Sequence, residues 1–125
     1  MNTIATTGKF TDHVKVFEVT KNGKTYIQFC FKGHLNIDAA ARAITTWKEL
    51  MDDPASKNLI YDCTEMTGFD TEARKLWQAT MSDCKKQIGN IWIISSNIFI
   101  LGAAKTMGLL TGFHIKVAKS SDDIS

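Results

Sequence analysis

The chain is short of structure breakers and of clustered charge. Its 125 residues contain a single proline, Pro54, within "MDDPASKN", and no proline-, glycine- or serine-rich stretch that would serve as a linker. One domain over residues 1–125 is therefore expected, built on one core, with flexible ends at 1–10 and 120–125. Charge of one sign is also missing. Fifteen Lys and Arg against thirteen Asp and Glu leave a formal +2, spread without basic blocks, whereas a phosphate backbone needs a concentrated cationic patch; nucleic acid is not an expected partner. Cysteine is sparse. Cys30, Cys63 and Cys84 form an odd set without CxxC spacing, each within an apolar or helical pattern, which points to reduced, buried thiols in a cytoplasmic protein. "MNTIATTGKF" has no apolar h-region behind a positive start, so no secretory signal is expected. The longest apolar stretch, "IWIISSNIFILGAAKTMGLLTG", is interrupted by Ser95, Ser96, Asn97 and Lys105, while a membrane span needs about 20 nearly unbroken apolar residues. A buried strand followed by a buried helix accounts for it.

Signatures of catalysis and metal binding are absent too. His13, His34 and His114 are scattered, with no spacing suited to zinc. Asp62 and Asp70 are the only pair of carboxylates worth weighing for acid–base work, and Cys63 has no histidine near it in sequence. Neither GxSxG nor HExxH occurs, and "LGAAKTMG" departs from the phosphate-cradling GxxxxGK[ST] pattern. The sequence thus predicts no enzyme, no cofactor and no metal.

What is present is a regular alternation of elements. "HVKVFEVTKNGKTYIQFCF" reads as a β-hairpin, since Asn22-Gly23 supplies the positive φ angles of a tight turn between β-branched and aromatic runs. After Gly33 the period lengthens: Ile37, Ala40, Ala41, Ile44, Trp47, Leu50 and Met51 recur at helical spacing, with Asn36 placed to cap, and the helix is expected to end near Asp52. "KNLIYDC" is a strand. Helical spacing returns from Ala73 through Leu76, Trp77, Thr80, Met81, Cys84 and Ile88, with a stop at Gly89. "NIWIIS" is the next strand, a helix from Ile98 to Leu110 ends at Gly112, and "FHIKVA" closes the series. The order β-β-α-β-α-β-α-β predicts an α/β fold, a mixed sheet with parallel later strands packed against helices, because parallel strands need helical crossovers.

Three stretches carry a resemblance. "GHLNIDAAARAITTWKEL", "YDCTEMTGFDTEAR" and "MGLLTGFHIKVAKSSDDI" resemble, in turn, the first strand-to-helix corner, the phosphoacceptor turn and the Leu-x-x-Thr-Gly ending of STAS domains, the family of sulfate-transporter and anti-sigma-factor-antagonist modules. The resemblance covers nearly the whole chain. It implies the fold just described and a regulatory module that meets an anti-sigma kinase-like partner through the loop and start of the second helix. Carried over residue by residue, the family's turn Asp falls on Asp70, its first Ser on Thr71, the phosphorylated Ser on Glu72 and the Gly on Ala73. Glu72 cannot accept phosphate, so either Thr71 is the acceptor or Glu72 supplies a fixed negative charge, one unit against nearly two for a phosphate. The resemblance also implies a helix after the last strand. "SSDDIS" supplies only its start, which leaves part of the sheet open and favours a homodimer or a permanent partner.

Physical chemistry gives the same corner a plainer use. Asp70 precedes a helix and can cap its free amides, and Glu72 complements the positive helix end. The candidate partner-binding set is Asp70, Thr71, Glu72, Arg74, Ser96, Asn97 and Phe99. Its apolar part rests on the consecutive Ile98, Phe99, Ile100 and Leu101, which one helix face cannot bury together, so Phe99 or Ile100 is expected to face outward. The alternative function is a carrier or sensor of an apolar small molecule or lipid in a pocket lined by Trp47, Met66, Trp77, Met81 and Trp92; plain core packing serves the same residues equally well.

Overall fold

A computed structural model describes residues 4–10, 14–50, 57–120 and 124. The hairpin forms as its turn dictates. Strand β2 (Val14–Lys21) turns at Asn22 (φ 51°) and Gly23 (φ 78°) into β3 (Lys24–Leu35), and the antiparallel register runs from Lys21 opposite Lys24 to Val14 opposite Phe31. One strand was not foreseen. Ile4–Phe10 forms β1 and pairs antiparallel with β2, so most of the segment expected to be a flexible end lies in the sheet. Backbone pairing to an existing edge needs no strong side-chain pattern, and "IATTGKF" has little.

Helix α1 (Ile37–Leu50) begins where Asn36 Oδ1 accepts from Ala39 N at 2.8 Å. Its end near Asp52, the loop at Pro54, His13 and Met51 lie outside the described residues. The buried stripe is rotated from the expected one: Ala39, Ala40, Ala43, Ile44 and Trp47 face the sheet, while Ile37 and Ala41 face solvent. Strand β4 (Lys57–Phe69) continues well past the apolar run, because its polar half "TEMTGF" pairs with the end of β3. Helix α2 (Thr71–Asp83) stops at Cys84, followed by a 3-10 turn, Lys85–Gln87. Ile88 and Gly89 therefore open strand β5 (Ile88–Ile94) instead of ending the helix. Helix α3 (Ile98–Thr111) ends at Gly112, whose φ of 79° gives the left-handed termination that glycine permits, and β6 (Ile115–Ala118) closes the chain order.

The six strands lie in sequence order, β1 to β6. β2 is antiparallel to both its neighbours, β1 and β3, and β3, β4, β5 and β6 are parallel through the helical crossovers. All three helices bury their stripes in one core on one face of the sheet, with Val14, Val16, Ile27, Phe29, Leu59, Tyr61, Ile91 and Ile93 as the strand contribution. Phe29 is the hub. Its ring meets Trp47, Tyr61 and Trp77 edge-on at 5.4, 5.3 and 5.2 Å, and Trp47 stacks on Trp77 at 5.4 Å, contacts worth roughly 0.5–1.5 kcal/mol each beyond burial. The reverse face carries a smaller cluster of Val19, Tyr26, Ile60, Ile94 and Ala118, onto which Ile124 packs. Among the described residues no helix is long and apolar enough to cross a membrane.

Candidate functional site

Parallel strands that each feed a helix bring all three helix N-termini to one edge of the sheet, the edge where ligand sites of open α/β folds gather. β3 ends there at His34 and Leu35, β4 at Phe69, and β5 at Ile94. The two central strand ends are fastened together. His34 Nε2 lies 2.6 Å from Asp70 Oδ1, and Asp70 N donates to Leu35 O at 2.9 Å. Two features aim the imidazole. The β3–β4 register slips between Gly33 and His34, next to a φ of 72° at Gly33, and a Cβ on Gly68 would stand 3.2 Å from His34 Nδ1.

Asp70 therefore does not cap α2 through its carboxylate. It occupies the N-cap position with extended φ and ψ (−77°, 146°), yet makes no side-chain cap bond; the nearby imidazole claims the oxygen instead. Thr71 and Glu72 are exposed, and Glu72 reaches Lys75 at 3.7 Å, one helical turn on. Arg74 donates from Nη1 to Gln78 Oε1 at 3.2 Å. His34 was not among the residues singled out from sequence. It lies 36 positions from Asp70, and no local spacing signals the pairing.

On the neighbouring helix, Asn97 is a working cap, its Oδ1 accepting from Phe99 N at 2.9 Å and Ile100 N at 3.4 Å. Ser96 is exposed beside it. Of the consecutive apolar residues, Ile98 and Phe99 stand 77% and 82% exposed while Ile100 is buried, so the choice between Phe99 and Ile100 resolves to Phe99, with Ile98 beside it. The two groups of candidate residues flank a cavity of about 70 Å³ between α2, α3 and the sheet, bounded by Met66, Phe69, Arg74 and Trp77 on one side and Ile100, Ala103, Ala104 and Met107 on the other.

This cavity keeps two of the five pocket residues foreseen. Met66 and Trp77 line it, whereas Trp47 and Met81 are fully enclosed core side chains. Trp92 is on the opposite face, because strand parity places Ile91 and Ile93 toward the helices; there it packs with the smaller cluster and lies under Lys116 Nζ at 5.3 Å from the ring. Phe31, Leu35, Tyr61, Cys63, Ile93 and Ile115 complete the wall, a set that sequence could not assemble without the strand register. The polar groups within reach are spent on one another: Trp77 Nε1 donates to Tyr61 Oη at 3.1 Å.

The chemistry at this edge is quiet. Burial, then the neighbouring Asp62 and Cys30, push the Cys63 thiol up to about 12, so it stays protonated. Burial also raises Tyr61, against the smaller opposing effect of the bond from Trp77. Asp62 accepts from Thr64 N at 3.1 Å and Thr64 Oγ1 at 2.6 Å, and Asp70 is held by His34, so the two carboxylates are not a pair. No group of three or more His, Cys, Asp or Glu among the described residues could hold a metal ion.

No family model matches the chain, and no curated protein matches it in sequence. Among solved structures, one from Shewanella loihica PV-4, an uncharacterized protein of the DUF3478 family with a SpoIIAA-like fold, superposes with a TM-score of 0.77 at 13% identity, covering 94% of this chain and 95% of that one. The chain has a SpoIIAA-like fold, the STAS-like architecture to which its strand-to-helix corners and Leu-x-x-Thr-Gly ending point.

Proposed function

We propose that this protein is a non-enzymatic regulatory module of the cytoplasm that binds a protein partner through the edge formed by the starts of α2 and α3. The observation that carries this reading is the exposure of Ile98 and Phe99, two large apolar side chains, on the same sheet edge as Thr71 and Glu72. Apolar anchors ringed by polar groups are the make-up of a recognition surface. In its most specific form the module acts as an anti-sigma-factor antagonist, switched by phosphate on Thr71 or set by the carboxylate of Glu72. Phe99→Glu and Asp70→Arg test it. Both variants should keep the wild-type melting transition and lose the partner that wild-type protein retains on affinity capture; if both retain it, this reading fails.

The cavity favours a second reading, a carrier or sensor of an apolar small molecule. Its size exceeds the roughly 10–15 Å³ that admits one water, yet apart from Arg74 its walls are apolar or already bonded to one another. Native mass spectrometry of freshly purified protein should then show a bound species of a few hundred daltons or less, lost on denaturation.

A further inference from the structure

The cavity has one charged residue in its wall, Arg74, and among the described residues no carboxylate pairs with it. Arg74 is the fourth residue of α2, where a cation works against the positive end of the helix. The acids on the same turn are engaged elsewhere, Asp70 with His34 and Glu72 with Lys75, and the guanidinium's bond among the described residues goes to the neutral Gln78. Arg74 lines the apolar wall while its Nη1 is bonded to Gln78 Oε1 on the half-buried surface of α2, the disposition of a long cationic side chain whose stem is buried and whose head reaches toward water. Inside, every wall residue presents carbon or sulfur, or is a polar group already bonded within the wall. Any polar atom pushed inward would lose its water without replacement.

We infer that the recess between α2 and α3 binds a small amphipathic carboxylate, its short alkyl or aryl body among Met66, Trp77, Ile100 and Met107 and its carboxylate on the Arg74 guanidinium at the mouth. This rests on the apolar-ligand reading above and adds the charge and size of the ligand. A planar guanidinium offers a carboxylate two parallel donors, and Gln78 is a partner that an anion displaces at little cost. The cavity volume limits the buried body to a few carbons or one ring. Met66 and Met107 supply adaptable walls that accept more than one shape. Cys63, held as a neutral thiol, takes no covalent part.

Hexanoate and 1-hexanol, equal in chain and different in head, separate the parts of the inference. Titration of each into the intact chain, followed by the methyl signals of Met66 and Met107, should give hexanoate at least about tenfold tighter binding than hexanol, a difference of about 1.4 kcal/mol. Arg74→Gln should remove that advantage, weakening hexanoate far more than hexanol, whose loss is confined to the wall contact of the shortened side chain. Ala104→Leu, which fills the cavity from α3, should weaken both ligands. Ala103→Leu repeats the test from a neighbouring wall position should the first variant fold poorly. Equal binding of the two ligands, untouched by Arg74→Gln, overturns the carboxylate assignment and leaves the apolar-ligand reading standing. Binding of neither, or binding indifferent to both filling variants, overturns the two together.

Discussion

At the scale of single residues, the clearest consequence concerns protons. Cys63 has an ordinary value of 9.0 and is pushed up to about 12 by burial. An acid harder to ionise folded than unfolded keeps its proton longer in the native state, so its contribution is complete below about pH 9 and is lost as pH rises toward about 12. Tyr61 shifts in the same direction for the same first cause. Denaturant titrations at pH 8 to 11 should show stability falling with alkalinity, and Cys63→Ala should flatten the fall. The thiols should also differ in reactivity: iodoacetamide at pH 8, read by mass spectrometry, should modify the half-buried Cys30 and Cys84 before Cys63. Asp70 makes the opposite kind of prediction. Its contact with His34 is about half exposed on both sides (48% and 55%), so Asp70→Asn should cost less than about 1 kcal/mol in chemical unfolding, even where it alters partner binding. That contact was invisible in sequence for a physical reason: it depends on the end of one parallel strand lying beside the end of the next, and on the register slip and bare Gly68 that make room for the ring.

At the scale of elements, two caps that look alike on paper behave differently. Asn97→Ala removes two bonds to the first turn of α3 and should cost about 1 kcal/mol, with faster amide exchange at Phe99 and Ile100. Asp70→Ala removes no cap bond from α2, so amide exchange in its first turn should remain close to wild type. Gly112→Ala would place a methyl 2.8 Å from Lys85 Nζ at a φ of 79° and should lower stability by about 1 kcal/mol. Element types and most starts were legible because their signals are local. Asn22-Gly23, Asn36 and Gly112 all do what their positions imply. Ends were harder. Nothing in "CKKQIGN" distinguishes a helix that ends at Cys84 from one that reaches Gly89, since Ile88 fits the helical stripe and the strand alike; the parallel pairing of Lys57 with Ile88 decides it.

At the scale of the whole molecule, the alternation of elements identified the layers and the parallel half of the sheet, and the fold of the similar solved structure agrees. Strand β1 escaped because "IATTGKF" has little strand pattern of its own, and its pairing to β2 is not legible in the sequence. The distribution of aromatics escaped for a different reason: Trp47, Trp77 and Trp92 are equally apolar, and only strand parity and helix rotation send one to the core, one to the cavity wall and one to the far face. The hub predicts a steep cost. Phe29→Ala should destabilise the protein by about 3–5 kcal/mol in urea unfolding, since three aromatic neighbours lose their edge contacts together. Because the three helices share one side, the reverse of the sheet depends on far less shelter, and Ile124 provides part of it with only 3% of its own surface exposed. A nick or early stop that removes Ile124 would bare a greasy strip along Tyr26, Ile60 and Ala118, an invitation for one copy to stick to another.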